Sequence, residues 1–148
     1  MAIENLDLQF LKSKTVLVTG ASSGIGKAIA EKLLDLGNIV IGTSRSNNNL
    51  KVISEKFPRN FYPYSLDLGN LDEILKLSNY VSKTFGKLDV LINNAGILGQ
   101  TTTIEDYDIK KWIEVININL NGQVLLSKKP LPLLKESKKG SIINISSS

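Results

Sequence analysis

Glycine and small polar residues gather at four places where a backbone could lie against a ligand. The first, Thr19-Gly20-Ala21-Ser22-Ser23-Gly24-Ile25-Gly26, follows a short β-branched run and leads into a helical pattern. Glycines there let the chain turn tightly and approach a pyrophosphate, whose charge is favoured by the free N–H groups of a helix N-terminus. The spacing is G-x-x-x-G-x-G, not the G-x-G-x-x-G of the common dinucleotide fingerprint, and a plain tight turn is the alternative. Asn93-Asn94-Ala95-Gly96 and Ser146-Ser147-Ser148 each follow a further apolar run. Asn117-Ile118-Asn119-Leu120-Asn121-Gly122 sets Asn and Gly inside a helical pattern, where both are poor formers; such a conflict is expected where function overrides propensity. The chain has no His and no Cys. Proton chemistry must therefore use other groups, and neither a thiolate metal site nor a disulfide is open to it.

The elements that must hold these residues alternate. Strands are expected over Thr15 to Thr19, around Ile39-Val40-Ile41, from Phe61 to Leu68, over Leu88 to Ile92 and over Ser141 to Ile145. Pro63 places the third at a sheet edge, because proline cannot donate to a ladder. Between them lie helical stripes: Ala28, Ile29, Lys32, Leu33 and Leu36 closed by Gly37; Leu50, Ile53 and Phe57; and Leu71, Ile74, Leu75, Ser78 and Val81 closed by Gly86. Asn70 and Glu73 have the spacing of a capping box. A long helix is expected from about Ile109 to Leu134, kinked by Pro130. Continuous apolar strands alternating with helices predict an α/β fold, a parallel sheet covered on both faces. Ligands of such folds bind beyond the carboxyl ends of the strands, where three of these four motifs fall.

Of 148 residues, 18 are Lys or Arg and 14 Asp or Glu, a net charge of +4. The local group Lys128, Lys129, Lys135, Lys138 and Lys139 has no interleaved aromatic and reads as a solvated helix face, so no nucleic-acid partner is expected. No apolar run approaches the ~18–20 residues of a membrane span, and residues 1–14 carry no signal-peptide core. A cytoplasmic location with no membrane partner is the resulting expectation.

Taken together, the motifs resemble those of a classical short-chain dehydrogenase/reductase: T-G-A-S-S-G-I-G at Thr19 to Gly26, Asp67-Leu68, N-N-A-G at Asn93 to Gly96, N-L-N-G at Asn119 to Gly122, and G-S-I-I-N-I-S-S at Gly140 to Ser147. The resemblance covers the chain from about Lys14. It implies a Rossmann-like doubly wound parallel sheet of strand order 3-2-1-4-5, with residues 1–13 an N-terminal extension. Residues 14–148 would then be an NAD(P)-binding domain, incomplete after the fifth strand. It implies that Gly20, Ser22, Ser23, Gly24, Ile25 and Gly26 cradle the cofactor pyrophosphate and adenosine ribose, that Asp67 and Leu68 flank the adenine, and that Asn93, Ala95 and Gly96 line the groove. It assigns catalytic roles to Ser147, which would hydrogen-bond the reacting oxygen, and to Asn119, which would anchor a water leading to a lysine. At the end of the second strand there is no acid to accept from a ribose 2′-hydroxyl, and Arg45 can pair with a 2′-phosphate. NADP is therefore expected over NAD, with a small carbonyl or alcohol as substrate and a homo-oligomer as the assembly of a full-length chain.

The family's acid/base is a Tyr with a Lys four residues on, about a dozen residues after the serine; these 148 residues do not include that pair. Tyr107 and Lys111 have its spacing but precede the asparagine motif and read as a surface pair, as do Tyr80 and Lys83, one residue short. The 148-residue chain is thus expected to be inactive by itself, with Ile142, Ile143 and Ile145 on an open, aggregation-prone edge. The alternatives are a non-catalytic nucleotide-binding module or a degenerate fragment. A sugar-nucleotide epimerase of the extended branch is disfavoured by the glycine spacing and by N-N-A-G.

Overall fold

The computed structural model describes residues 12–46 and 48–146. Five strands, β1 (Thr15–Thr19), β2 (Ile39–Ser44), β3 (Phe61–Ser65), β4 (Val90–Asn93) and β5 (Ser141–Asn144), pair in the order β3-β2-β1-β4-β5. All of these pairings are parallel, with Leu17 opposite Ile41 and Leu91, and Leu91 opposite Ile142. Helices α1 (Gly24–Asp35) and α2 (Asn48–Lys56) cross on one side; α3 (Leu71–Phe85), α4 (Ile109–Ile116), α5 (Gln123–Lys128) and α6 (Leu131–Glu136) follow. The sheet is the Rossmann-like, doubly wound one that the resemblance implied.

Alternation along β1 builds both layers, since successive side chains of a strand point to opposite faces. Val16 and Val18 pack with Ala30, Leu34, Leu50 and Ile53 of α1 and α2. Leu17 points the other way, among Ile74, Leu77 and Val81 of α3, Leu126 of α5 and Leu133 and Leu134 of α6. Pro63 sits opposite Gly42 on the outermost strand, where its missing donor costs no ladder bond. At the other edge Ile142, Ile143 and Ile145 are 38%, 46% and 38% exposed.

Several features differ from the sequence expectation, among them the fourth strand, which runs over Val90–Asn93 and not Leu88 to Ile92. The third strand ends at Ser65, with one more bond from the Leu66 N–H to the Ser44 carbonyl at 3.0 Å, and Leu66 and Leu68 join the core beside α3. The stripe of α1 is rotated: Gly26, Ala30 and Leu34 are its buried face, while Ala28 and Lys32 face outward. The helix expected over 109–134 is broken twice. A π-helical turn, Asn117–Gly122, separates α4 from α5, and Pro130, which has no N–H to continue α5, stands at the N-cap of α6. The lysines at 128, 129, 135, 138 and 139 are all exposed.

Capping places a site residue. The Asn70 side chain accepts from the N–H groups of Asp72 and Glu73 at 3.0 and 3.4 Å. Glu73 Oε2 in turn accepts from the Asp67 N–H at 2.7 Å, so the start of α3 fixes the loop carrying Asp67 and Leu68.

Candidate functional site

A cleft of 510 Å³ opens at the carboxyl ends of β1, β2, β3 and β4, where the strand order reverses. Its floor is the turn from β1 into α1. Gly20 and Gly24 have φ of +66° and +52°, a region that side chains rarely enter. No atom lies within 4 Å of the point where a Cβ of Gly24 would stand, whereas a Cβ on Gly20 would sit 3.0 Å from Ala95 Cα. Ser23, at the N-cap of α1, makes no side-chain cap, leaving the first amides of the helix facing the cleft. A Ser44–Ser22 hydroxyl hydrogen bond of 3.0 Å joins this turn to the end of β2.

Of the residues the sequence singled out, Gly20, Ser22, Ser23, Gly24, Ile25, Arg45, Asp67, Leu68, Ala95 and Gly96 line this cleft. Gly26 lies beneath it: a Cβ there would overlap the Gly20 carbonyl oxygen and the Asn94 side chain. Its role is to let α1 close on the turn. Asn93 also stands outside the cleft, 3% exposed, donating from Nδ2 to Ser127 Oγ at 2.9 Å and Asn144 Oδ1 at 2.8 Å. Arg45 reaches an adjoining recess that also takes in Asp67, Lys110 and Glu114, and makes no ion pair among the described residues.

A second cavity, of 730 Å³, shares the wall at residues 94–97 and extends over Asn119, Gln123, Ser127 and Asn144 to Ser146. The π-helical turn presents Asn119, whose side chain clamps Ile97: Oδ1 accepts from the Ile97 N–H and Nδ2 donates to the Ile97 carbonyl, each at 2.8 Å. Turns of this kind are often found at functional sites. Ser147 lies outside the described residues.

Several contributors were not visible by spacing. Thr19, fully buried, accepts on Oγ1 from the N–H groups of Asn94 and Ala95 at 2.9 and 3.0 Å, tying the end of β1 to the segment after β4. Asn94 Nδ2 donates to the Thr19 carbonyl at 2.9 Å. The second Asn of N-N-A-G is thus the one that borders the cleft, and the doubled amide was the signal available for it.

The two Tyr–Lys spacings stand apart from both cavities. Tyr107 packs edge-on against Trp112 and accepts on its hydroxyl from the Gln100 N–H at 3.0 Å. Lys111 donates to Glu114 Oε2 at 2.8 Å, and that carboxylate holds its pKa above the usual lysine value. Tyr80 stacks on Tyr64, and burial raises its pKa, opposite to what a neutral-pH proton donor needs. Among the described residues no group of three His, Cys, Asp or Glu could hold a metal ion, and no helix is long and apolar enough to cross a membrane.

The fold and the cleft define a Rossmann-like, doubly wound protein, and sequence comparison places it within that class. Residues 14–148 match the pattern of the short chain dehydrogenase family, to which the chain therefore belongs. It is similar to the 3-oxoacyl-[acyl-carrier-protein] reductase FabG of Buchnera aphidicola subsp. Baizongia pistaciae, 41% identical over 135 residues, covering 90% of this chain and 55% of that protein. A crystal structure of a short-chain dehydrogenase from Streptomyces avermitilis superimposes with a TM-score of 0.86 at 35% identity, covering 92% of this chain and 50% of the other. A metagenomic short-chain oxidoreductase solved in complex with NADP gives 0.88 at 34% identity, covering 93% and 64%. The chain spans about half the length of the curated relatives it matches.

Proposed function

We propose that the chain is the NADP(H)-binding part of a short-chain oxidoreductase that transfers hydride between the cofactor and a small carbonyl or alcohol. The observation that carries this reading is the end of β2. Arg45 stands there beside the cleft, no acid competes for a ribose hydroxyl, and the glycine turn opposite it is open at Gly24. The lining suits a dinucleotide in other respects. Backbone amides at the start of α1 would meet the pyrophosphate, and Leu68, Ile118 and Asp67, which line the cleft, would flank the adenine. The bound nicotinamide supplies or takes the hydride. The chain's own residues bind and orient: Arg45 would pair with the 2′-phosphate, Ala95 and Gly96 form the wall of the groove, and Asn119 holds that wall through Ile97. Ser147 Oγ, as in the family motif, donates to the reacting oxygen. The reading includes a cytoplasmic location, residues 14–148 as the cofactor domain and self-association through α4 and α5, whose Ile109, Trp112, Ile113 and Val124 are about half or more exposed.

The test is fluorescence titration of the 148-residue chain with NADPH and NADH. NADPH is expected to bind more tightly, and Arg45→Ala to weaken it about tenfold, the ~1.5 kcal/mol of a charge-assisted contact, with NADH unchanged. Equal affinity for the two nucleotides in the parent chain would sink the NADP assignment. No NADPH-dependent carbonyl reduction is expected from these 148 residues alone, since they hold no Tyr-x-x-x-Lys beyond Ser147. Turnover by the purified chain would overturn that expectation and return Tyr107 and Lys111 to consideration. A nucleotide-binding module without catalysis is the second reading. Translating the gene past codon 148 separates the two: Tyr-x-x-x-Lys about a dozen residues after Ser147 marks an enzyme, a stop codon a binding module.

A further inference from the structure

The segment after β4 is the wall between the two cavities, yet it lies beyond the ladder. The β4–β5 pairing ends at Asn93 and Asn144, with one more bond from the Ile145 N–H to the Asn93 carbonyl. From residue 94 to residue 97 the backbone is held by side chains. Thr19 takes the N–H groups of Asn94 and Ala95 from the β1 side, and Asn119 takes both polar groups of Ile97 from the helix side. Between them the Ala95 carbonyl receives no backbone donor among the described residues. It accepts instead from Gln123 Nε2 at 2.6 Å.

Gln123 occupies the first position of α5, one helical turn beyond Asn119, and Ser127 follows one turn later with its bond to Asn93. The stripe 119, 123, 127 on the helix therefore meets 97, 95, 93 on the emerging chain, a spacing of four against a spacing of two. The orientation of the Gln123 amide is decided by its partner, because a carbonyl can only accept. Among the described residues that orientation leaves Gln123 Oε1 buried without a partner, a state that works against stability. An apolar side chain of similar size would remove that orphan but would leave the Ala95 carbonyl without its donor. A half-satisfied buried amide kept against a cleft wall is the mark of a residue serving geometry more than stability.

We propose that Gln123 is a positioning residue for the nicotinamide half of the cofactor groove. It pins the Ala95 carbonyl, which sets the plane of the Ala95–Gly96 peptide and hence the depth of the wall against which the second nucleotide lies. Gln123 lines the second cavity and not the first, whose far end is floored by Gly20 and Gly24 and bordered by Arg45, Asp67 and Leu68. The inference rests on the NADP(H) reading above, and its test separates the two.

Gln123→Leu and Gln123→Met are made in the 148-residue chain and titrated with NADPH and with 2′,5′-ADP, which lacks the nicotinamide half. NADPH affinity is expected to fall about five- to tenfold in both variants, with 2′,5′-ADP affinity within twofold of the parent. Amide exchange at residues 95–97 is expected to accelerate. Unchanged NADPH affinity, or an equal fall for both ligands, overturns the positioning role while leaving the cofactor assignment standing. A parent chain that binds 2′,5′-ADP as tightly as NADPH also overturns it, since no nicotinamide contact then exists to be positioned. A parent chain that binds neither ligand removes the NADP(H) reading and this inference with it.

Discussion

Gly26→Ala is expected to abolish NADPH binding by the chain and to lower its unfolding free energy by about 2–3 kcal/mol. The added Cβ would overlap the Gly20 carbonyl oxygen and would lie 2.9 Å from the Gly20 carbonyl carbon. The Asn94 amide also crowds the position and is itself tied to the Thr19 carbonyl, so neither neighbour yields cheaply. Relief requires the first turn of α1 to back away from the β1 turn. That movement withdraws the uncapped amides from the cleft and opens the buried face at Ala30 and Leu34. Binding and stability thus fall together, through one displacement. Gly86→Ala is the control: Gly86 also has positive φ, +71°, but closes α3 with nothing within 4 Å of a Cβ. It should cost about 1 kcal/mol of stability and leave NADPH affinity unchanged. Nucleotide titration and urea denaturation of the two variants check the pair, and a Gly26→Ala chain that binds NADPH like the parent would refute the account.

Asp89→Ala is expected to cost about 3 kcal/mol, because one carboxylate fastens three elements. Asp89 is 3% exposed. Its Oδ2 accepts from the Thr15 N–H at 2.8 Å and its Oδ1 from the Ser137 hydroxyl at 2.6 Å, so the start of β1 and the turn into β5 meet on the residue before β4. Lys87 at 3.2 Å and Lys14 at 3.8 Å supply the opposing charge. Burial alone would push the Asp89 pKa up, but the Ser137 hydroxyl, the Thr15 N–H and Lys87 together outweigh it and hold the pKa below the ordinary aspartate value. The sign of the pH effect follows. A depressed native pKa means the stabilisation is complete above the unfolded value of about 4 and is lost as pH falls through the native one. Asp89→Asn, with one acceptor where two are used, should lose about 2 kcal/mol at pH 7. Its deficit against the parent should narrow as the pH drops below about 4. Urea denaturation at pH 7, 5 and 3 measures this; a deficit constant across that range would show that the charge is not what matters.

Legibility in the sequence followed the range of the interaction involved. Continuous apolar runs revealed the strands because burial on both faces leaves no polar alternation. Strand ends were less clear. Leu66 and Leu68 are as apolar as the strand before them, and only the pairing shows that the strand stops at Ser65 while both leucines pack beside α3. The α1 stripe is misphased because Ala28 and the aliphatic stem of Lys32 recur at helical spacing with Ile29, Leu33 and Leu36. The demand that Gly26 face Gly20 turns the helix, leaving Ile25 63% exposed. Asn117 to Gly122 announced a local conflict with helix formation, but not that the result would be a π-helical turn presenting Asn119 to Ile97.

What the sequence determined by itself is local. Glycines mark where the backbone must turn through positive φ, Pro63 marks the sheet edge, Asn70 and Gly86 mark the ends of α3, and Arg45 without an acid marks the charge offered at the end of β2. These depend on one residue's own sterics or charge and survive in any surroundings. Tertiary structure alone decided how residues far apart share the wall of the site. Thr19 lies 75 residues from Asn94 and Gln123 lies 28 from Ala95, and no periodicity within a single element encodes either hydrogen bond. Such contacts exist only once β1, β4 and α5 are packed side by side, because the backbone beyond β4 has lost its ladder and its polar groups must find partners wherever the fold has brought them.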